Sequence, residues 1–185
     1  MPRLILAFLA TTLLGIPPLL AQQKRVSPHE TISQTFDGKR DNRVTIVYGR
    51  PYSKDPKTGA TRKIWGTLVP YGKVWRLGSD EATLLITQQP VLLGGTEIPA
   101  GAHTLFMQPE ADGTAKLIVS TQLGQWGLQY NAANDFARVD LTMKTVDKSV
   151  DEFTMGLAKN PAGGGVLTMT WENTEFSVPF TIVKK

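Results

Sequence analysis

From Arg43 to Val183 the chain is a succession of short β-branched and aromatic runs separated by turn residues, a spacing that leaves room for strands and little else. The runs cover 43–49, 82–88, 90–95, 102–108, 115–121, 137–146, 152–158, 166–172 and 176–183. Between them, "GGTEIPAG", "PEADG" and "NPAGGG" supply the Gly and Pro that chain reversals need. Alternation assigns faces. In 137–146, Val139, Leu141, Met143 and Thr145 share one side, while Arg138, Asp140, Thr142 and Lys144 share the other. In 166–172, Leu167, Met169 and Trp171 point together, so Trp171 reads as core. No helical period is sustained, and residues 125–136 hold at most a short helical turn. The expected fold is all-β: one antiparallel β-sandwich, jelly-roll or Ig-like, of about nine strands with a long structured loop.

The 185 residues suit one domain, with neither an internal repeat nor a second domain. At the start, Arg3 precedes an apolar run from Leu4 to Leu14, then Gly15, Pro17 and Pro18, then Ala21. That order reads as a secretory signal over 1–21, and the run falls short of the roughly 20 residues a spanning helix needs. Residues 22–42 read as an extended leader and 43–183 as the β-domain. The expectation is an exported bacterial protein, periplasmic or extracellular, with no transmembrane segment after cleavage. With no cysteine there is no disulfide framework, thiol nucleophile or thiolate metal site.

Charge is uneven. Residues 22–63 carry ten Lys or Arg against four Asp or Glu, and 64–185 carry nine against twelve. The basic residues lie in turns without interleaved aromatics, which argues against nucleic acid and for a solvated face. His29 and His103 are too few and too separated for a metal site. "NPAGGGVL" lacks the Lys of a phosphate loop, and no cofactor motif is present.

Residues 62–83, "RKIWGTLVPYGKVWRLGSDEAT", fit no strand pattern, because Gly66, Pro70, Gly72 and Gly78 interrupt any long element. Trp65, Tyr71 and Trp75 give such a loop enough apolar area to hold itself down. "TIVYGRP" (45–51), this loop, "IPAGAHTLF" (98–106), "QWGLQYNAANDFARV" (125–139) and "LTMTWENTEFSVPF" together resemble the bacterial domain-of-unknown-function family 2911 over nearly all of 26–183. The resemblance implies an exported, mainly β domain without an established activity. The chain differs from that family's pattern at Ser79, Asp80 and His103, each a more polar choice.

The polar positions that match the family blocks are Arg50, Arg76, Glu81, Asp135 and Arg138, surrounded by Tyr48, Tyr71, Trp75, Trp126 and Tyr130. Guanidinium groups and amphipathic rings suit a pocket for a small anionic or carbohydrate ligand. The same residues equally suit Arg–carboxylate bridges that fasten a loop to a sheet, with Arg76 beside Glu81. Three readings are open: a non-catalytic binding module for an unknown small molecule or glycan, a hydrolase with Glu81 and Asp135 as acid and base, and a structural envelope protein. "LGSDE" lacks the second glycine of a serine elbow and no helix pattern comes after it.

Overall fold

The computed structural model describes residues 25–183, so the expected secretory signal over 1–21 lies outside the described residues. Nine strands form: β1 (His29–Thr35), β2 (Arg43–Gly49), β3 (Thr83–Thr87), β4 (Val91–Leu93), β5 (Thr96–Ile98), β6 (Gly101–Pro109), β7 (Ala115–Ser120), β8 (Asp135–Lys159) and β9 (Gly165–Ile182). A 3-10 turn at Ala132–Asn134 is the one helical piece among the described residues. All pairings are antiparallel, in one open sheet of order β1-β2-β3-β6-β7-β8-β9-β4-β5. The all-β class and the strand number stand. The pairing runs continuously from β1 to β5, and β8 carries it from the β1-β2-β3-β6-β7 ladders to those of β9, β4 and β5.

The polar leader contributes more than an extended entry. His29–Thr35 pair with β2 along their whole length, from His29 opposite Gly49 to Thr35 opposite Arg43. The sheet therefore begins at His29 instead of Arg43. The runs 137–146 and 152–158 belong to one strand, β8. Its first part pairs with β7 and the rest with β9, with register shifts between Thr145 and Val150 and again before Thr154. Such bulges bend a strand and raise its twist. β9 likewise unites 166–172 and 176–183, and Glu172 takes φ 52° inside it.

Alternation sets the core. Val44, Ile46 and Tyr48 of β2, Leu105 and Met107 of β6, and Leu117 and Val119 of β7 join Leu167, Met169 and Trp171 of β9 in one buried cluster. Both arms of the sheet thus share a core. On the reverse face, Phe106 and Ile118 form a second small cluster with Ala82, covered by Val74 and Tyr130.

The 62–83 loop is held on the main core by its rings. Trp75 stacks on Trp171 at 5.7 Å and meets Phe153 edge-on at 5.0 Å, while Trp65 meets Phe176 at 5.4 Å. Past the end of β3, Trp75 takes that strand's place beside β6: its backbone N–H donates to Met107 O at 2.7 Å and its carbonyl accepts from Met107 N at 2.8 Å. The turn after it is pressed on β2. The Ser79 N–H donates to Gly49 O at 3.3 Å, and a Cβ at Gly49 would stand 2.3 Å from Ser79 Oγ and 2.4 Å from the Ser79 carbonyl oxygen. Only glycine permits that approach. Gly49→Ala is expected to cost about 1–3 kcal/mol by overpacking, read as a fall of roughly 3–10 °C in the thermal midpoint; an unchanged midpoint would show that the turn yields freely.

Candidate functional site

The residues flagged by the sequence separate into three groups. The first is a fastening network. Tyr48 is buried in β2; its hydroxyl donates to Glu30 Oε2 at 2.7 Å and accepts from the Met155 N–H at 3.0 Å. Arg50, two residues along, is saturated. It lies 3.3 Å from Glu30 and 3.1 Å from Glu152, and donates to Phe153 O at 3.2 Å and Thr154 Oγ1 at 3.0 Å. Together they tie β1 and β2 to the bend of β8. Burial pushes the Tyr48 hydroxyl above the usual tyrosine range, and its bond to Glu30 adds to this.

The second group lies on the reverse side. The Tyr130 hydroxyl donates to Asp135 Oδ2 at 2.7 Å, and Arg138 donates to Asp135 Oδ2 at 2.9 Å, to the Tyr130 hydroxyl at 2.8 Å and to Gln108 Oε1 at 3.0 Å. The Tyr130 ring packs on Phe106 at 4.9 Å. Asp135 is thus held as an internal partner, although its Oδ1 is buried without a hydrogen bond.

The third group surrounds the 76–81 turn. Leu77 and Asp80 both take positive φ, 54° and 64°. Left-handed backbone at a side chain such as Leu is costly, and such positions concentrate at ligand sites. The Thr83 hydroxyl holds the turn by donating to Leu77 O at 2.7 Å. From the other side, the Gly127 N–H donates to Asp80 O at 3.0 Å, and a Cβ at Gly127 would collide with Arg76 Cδ at 2.2 Å. Trp126, half-exposed, pairs with Glu81 through the backbone.

Glu81 and Arg76 do not form the expected pair. Glu81 accepts both its guanidinium hydrogen bonds from Arg25, at 2.5 Å each, and this holds its carboxyl below the usual carboxylate range. His29 Nε2 lies 3.0 Å from Asp80 Oδ2 beside it. Arg25, His29, Glu81 and Gln125 line one cavity of about 290 Å³.

Arg76 turns into another cavity, of about 260 Å³, with Arg62, Ser79, Asp80, Tyr52 and the edges of Trp75 and Trp171. Its Nε is buried without a hydrogen bond, as are Arg62 Nε and Ser79 Oγ. Desolvation pulls the Arg76 guanidinium below the usual arginine range, with only Asp80 opposing it. Arg62 is anchored at its other end, where it donates to Tyr52 O. Two guanidinium groups with unsatisfied nitrogens thus lie against aromatic edges, and guanidinium is the group that pairs with carboxylate or phosphate. Tyr71 is apart from this cavity, lying half-exposed over Gly66.

Sequence reasoning placed Arg76 and Trp75 at the site and missed Arg62, Ser79, Tyr52 and Arg25. Arg62 was legible only as the first letter of the aromatic loop, and Arg25 had no local signal. Among the described residues no group of three His, Cys, Asp or Glu side chains is arranged to hold a metal ion. No helix there is long and apolar enough to cross a membrane. His103 is buried, with Nε2 2.9 Å from Pro99 O.

The fold and the cavity define an antiparallel β domain with an arginine-lined pocket under an aromatic loop. The chain belongs to the family described as protein of unknown function (DUF2911), whose model matches residues 27–180. No curated protein and no solved structure matches it.

Tyr48 gives a pH test with a definite sign. Its folded hydroxyl keeps its proton to higher pH than the unfolded one, so its contribution is complete below about pH 10 and is lost as pH rises further. Tyr48→Phe is expected to cost about 1–3 kcal/mol at neutral pH, because the Met155 N–H loses its acceptor. Between about pH 9 and 11 the thermal midpoint of the wild type should fall more steeply than that of Tyr48→Phe. Equal slopes would remove Tyr48 as a titrating contributor.

Proposed function

We propose that the chain is an exported, non-catalytic binding module whose cavity beneath the 62–83 loop takes a small anionic ligand, acidic sugars included. The observation that carries this reading is Arg76. Its guanidinium is half-buried, its Nε has no hydrogen bond, and no carboxylate among the described residues pairs with it. A desolvated cation without a partner lowers stability, and such groups are kept where a ligand completes them. Arg62, whose Nε is also unpaired, lines the same cavity, and the backbone is strained at Leu77 and Asp80 beside it.

The hydrolase reading draws less support. Glu81 is capped by Arg25, Asp135 by Arg138 and Tyr130, and Asp135 lines neither the cavity that holds Glu81 nor the one that holds Arg76. The Tyr48–Arg50 network supports a structural role for those two residues alone. Export rests on the Arg3, apolar and Ala21 pattern at the start of the chain.

The test is the thermal midpoint of the purified protein with and without acetate, sulfate and phosphate, beside Arg76→Ala. Without anion, Arg76→Ala should match or exceed the wild type. An anion at a hundred times its Kd should stabilise the wild type by about 2.7 kcal/mol, a rise of roughly 5–10 °C, and leave Arg76→Ala unmoved. A drop of about 10 °C in Arg76→Ala without anion, the size expected for a broken buried pair, would return Arg76 to the fold.

A further inference from the structure

The charged groups that line the Arg76 cavity are Arg62, Arg76 and Asp80. Two cations against one carboxylate leave a formal surplus of a single positive charge, with His29 counted as neutral. Beyond the lining, Asp55 is within electrostatic reach of Arg62 and Arg25 of Asp80, one charge of each sign, which leaves the surplus as it is. In a partly desolvated site, an anion that exceeds the available positive charge is held with charge uncompensated, which is costly. A monoanion is matched here. A phosphate monoester, close to a dianion at neutral pH, is not.

Asp80 adds a second requirement. Its Oδ2 faces His29, and its Oδ1 takes no hydrogen bond among the described residues. A carboxylate is an acceptor only, so a ligand group that reaches this oxygen from the cavity has to donate. An ammonium would donate but would add positive charge to a wall that already has a surplus. A hydroxyl donates without charge. Tyr52 and Trp75 supply apolar surface for a ring, and about 260 Å³ is at the small end of ligand sites, enough for one sugar-sized ring.

We infer that the ligand is a hydroxylated monocarboxylate of sugar-acid size, with its carboxylate on Arg76 and Arg62 and a hydroxyl on Asp80. This rests on the anion-site reading and narrows it. The same chemistry is offered by a free sugar acid and by the terminal residue of an acidic polysaccharide.

The experiment is calorimetric titration of the purified protein above about pH 7.5, where a histidine is ordinarily neutral. The probes are galacturonate, its oligomers, galactose 6-phosphate and galactose, each against wild type, Asp80→Asn and Arg76→Ala. Asn keeps the shape and tolerates the left-handed backbone that Asp80 adopts. Wild type is expected to bind galacturonate or its oligomers at least about tenfold more tightly than the phosphate or the neutral sugar, and the stronger of the first two names the source. Asp80→Asn should reverse the order in favour of the phosphate, and Arg76→Ala should lose both anions. Tighter phosphate binding by wild type, or an order unchanged in Asp80→Asn, overturns the sugar-acid assignment and leaves the anion site standing. No anion binding at all by wild type removes both.

Discussion

The stacking of Trp75 on Trp171 is the contact on which the rest of the arrangement depends. Trp171 sits in β9 with its Nε1–H donated to Asp151 O at 3.1 Å, so its plane is set by the sheet independently of the loop. Trp75 lies 18° from parallel to it, and the backbone of Trp75 is locked to Met107 in β6. A single loop residue thereby bridges the two arms that close the core. Everything from Arg76 to Ala82 leaves that anchor in a fixed direction, which is why the turn can press on Gly49 and Gly127 without drifting off them.

This anchoring also explains how the loop tolerates the strained 76–81 turn. Burying a Trp-sized ring, 150–250 Å² of mostly apolar surface, is worth about 4–6 kcal/mol. A left-handed side-chain residue costs about 1–3 kcal/mol, and the turn contains two. Trp65 and Trp75, both partly buried, supply part of that burial figure against the strain at Leu77 and Asp80. Apolar burial at one end of the loop permits polar incompleteness at the other.

The strands with alternating apolar residues were legible because their periodicity is itself the cause of their placement: Val44, Ile46 and Tyr48 face the core for the same reason they stand two apart. β1 was not, since "HETISQT" is an edge strand whose exposed face needs no apolar residues and whose pairing comes from β2. β5, three residues long, is hidden in what reads as a turn. The bend in β8 was read as a gap between strands because bulged residues break alternation without leaving the ladder. At the site, ring content and breakers marked the loop, but pairing partners were out of reach. The partner of Glu81 is Arg25, 56 positions away in a segment with no pattern of its own. Local spacing made Arg76 the natural choice, yet five residues along a strained turn, the two side chains serve different cavities.

The same residue type occurs here in two states, one satisfied within the fold and one not. Arg50 and Arg76 both flank the Gly49–Ser79 contact, one just past the end of β2 and one on the loop. Arg50 has two carboxylates, a carbonyl and a hydroxyl arranged around its guanidinium, so its removal would strand several groups that nothing else satisfies. Arg76 has the Cδ packing of Gly127 beneath it and Asp80 nearby, but its Nε is buried and unused. The fold fixes the position of the Arg76 guanidinium and partly desolvates it without supplying a partner for its Nε. Under the proposed anion site, a negatively charged acceptor would meet the exposed part of that guanidinium and its field together. The contrast lies in satisfaction of donors and not in residue identity, which is why composition and motif alone place the two arginines in one list while the hydrogen-bonded environment divides them.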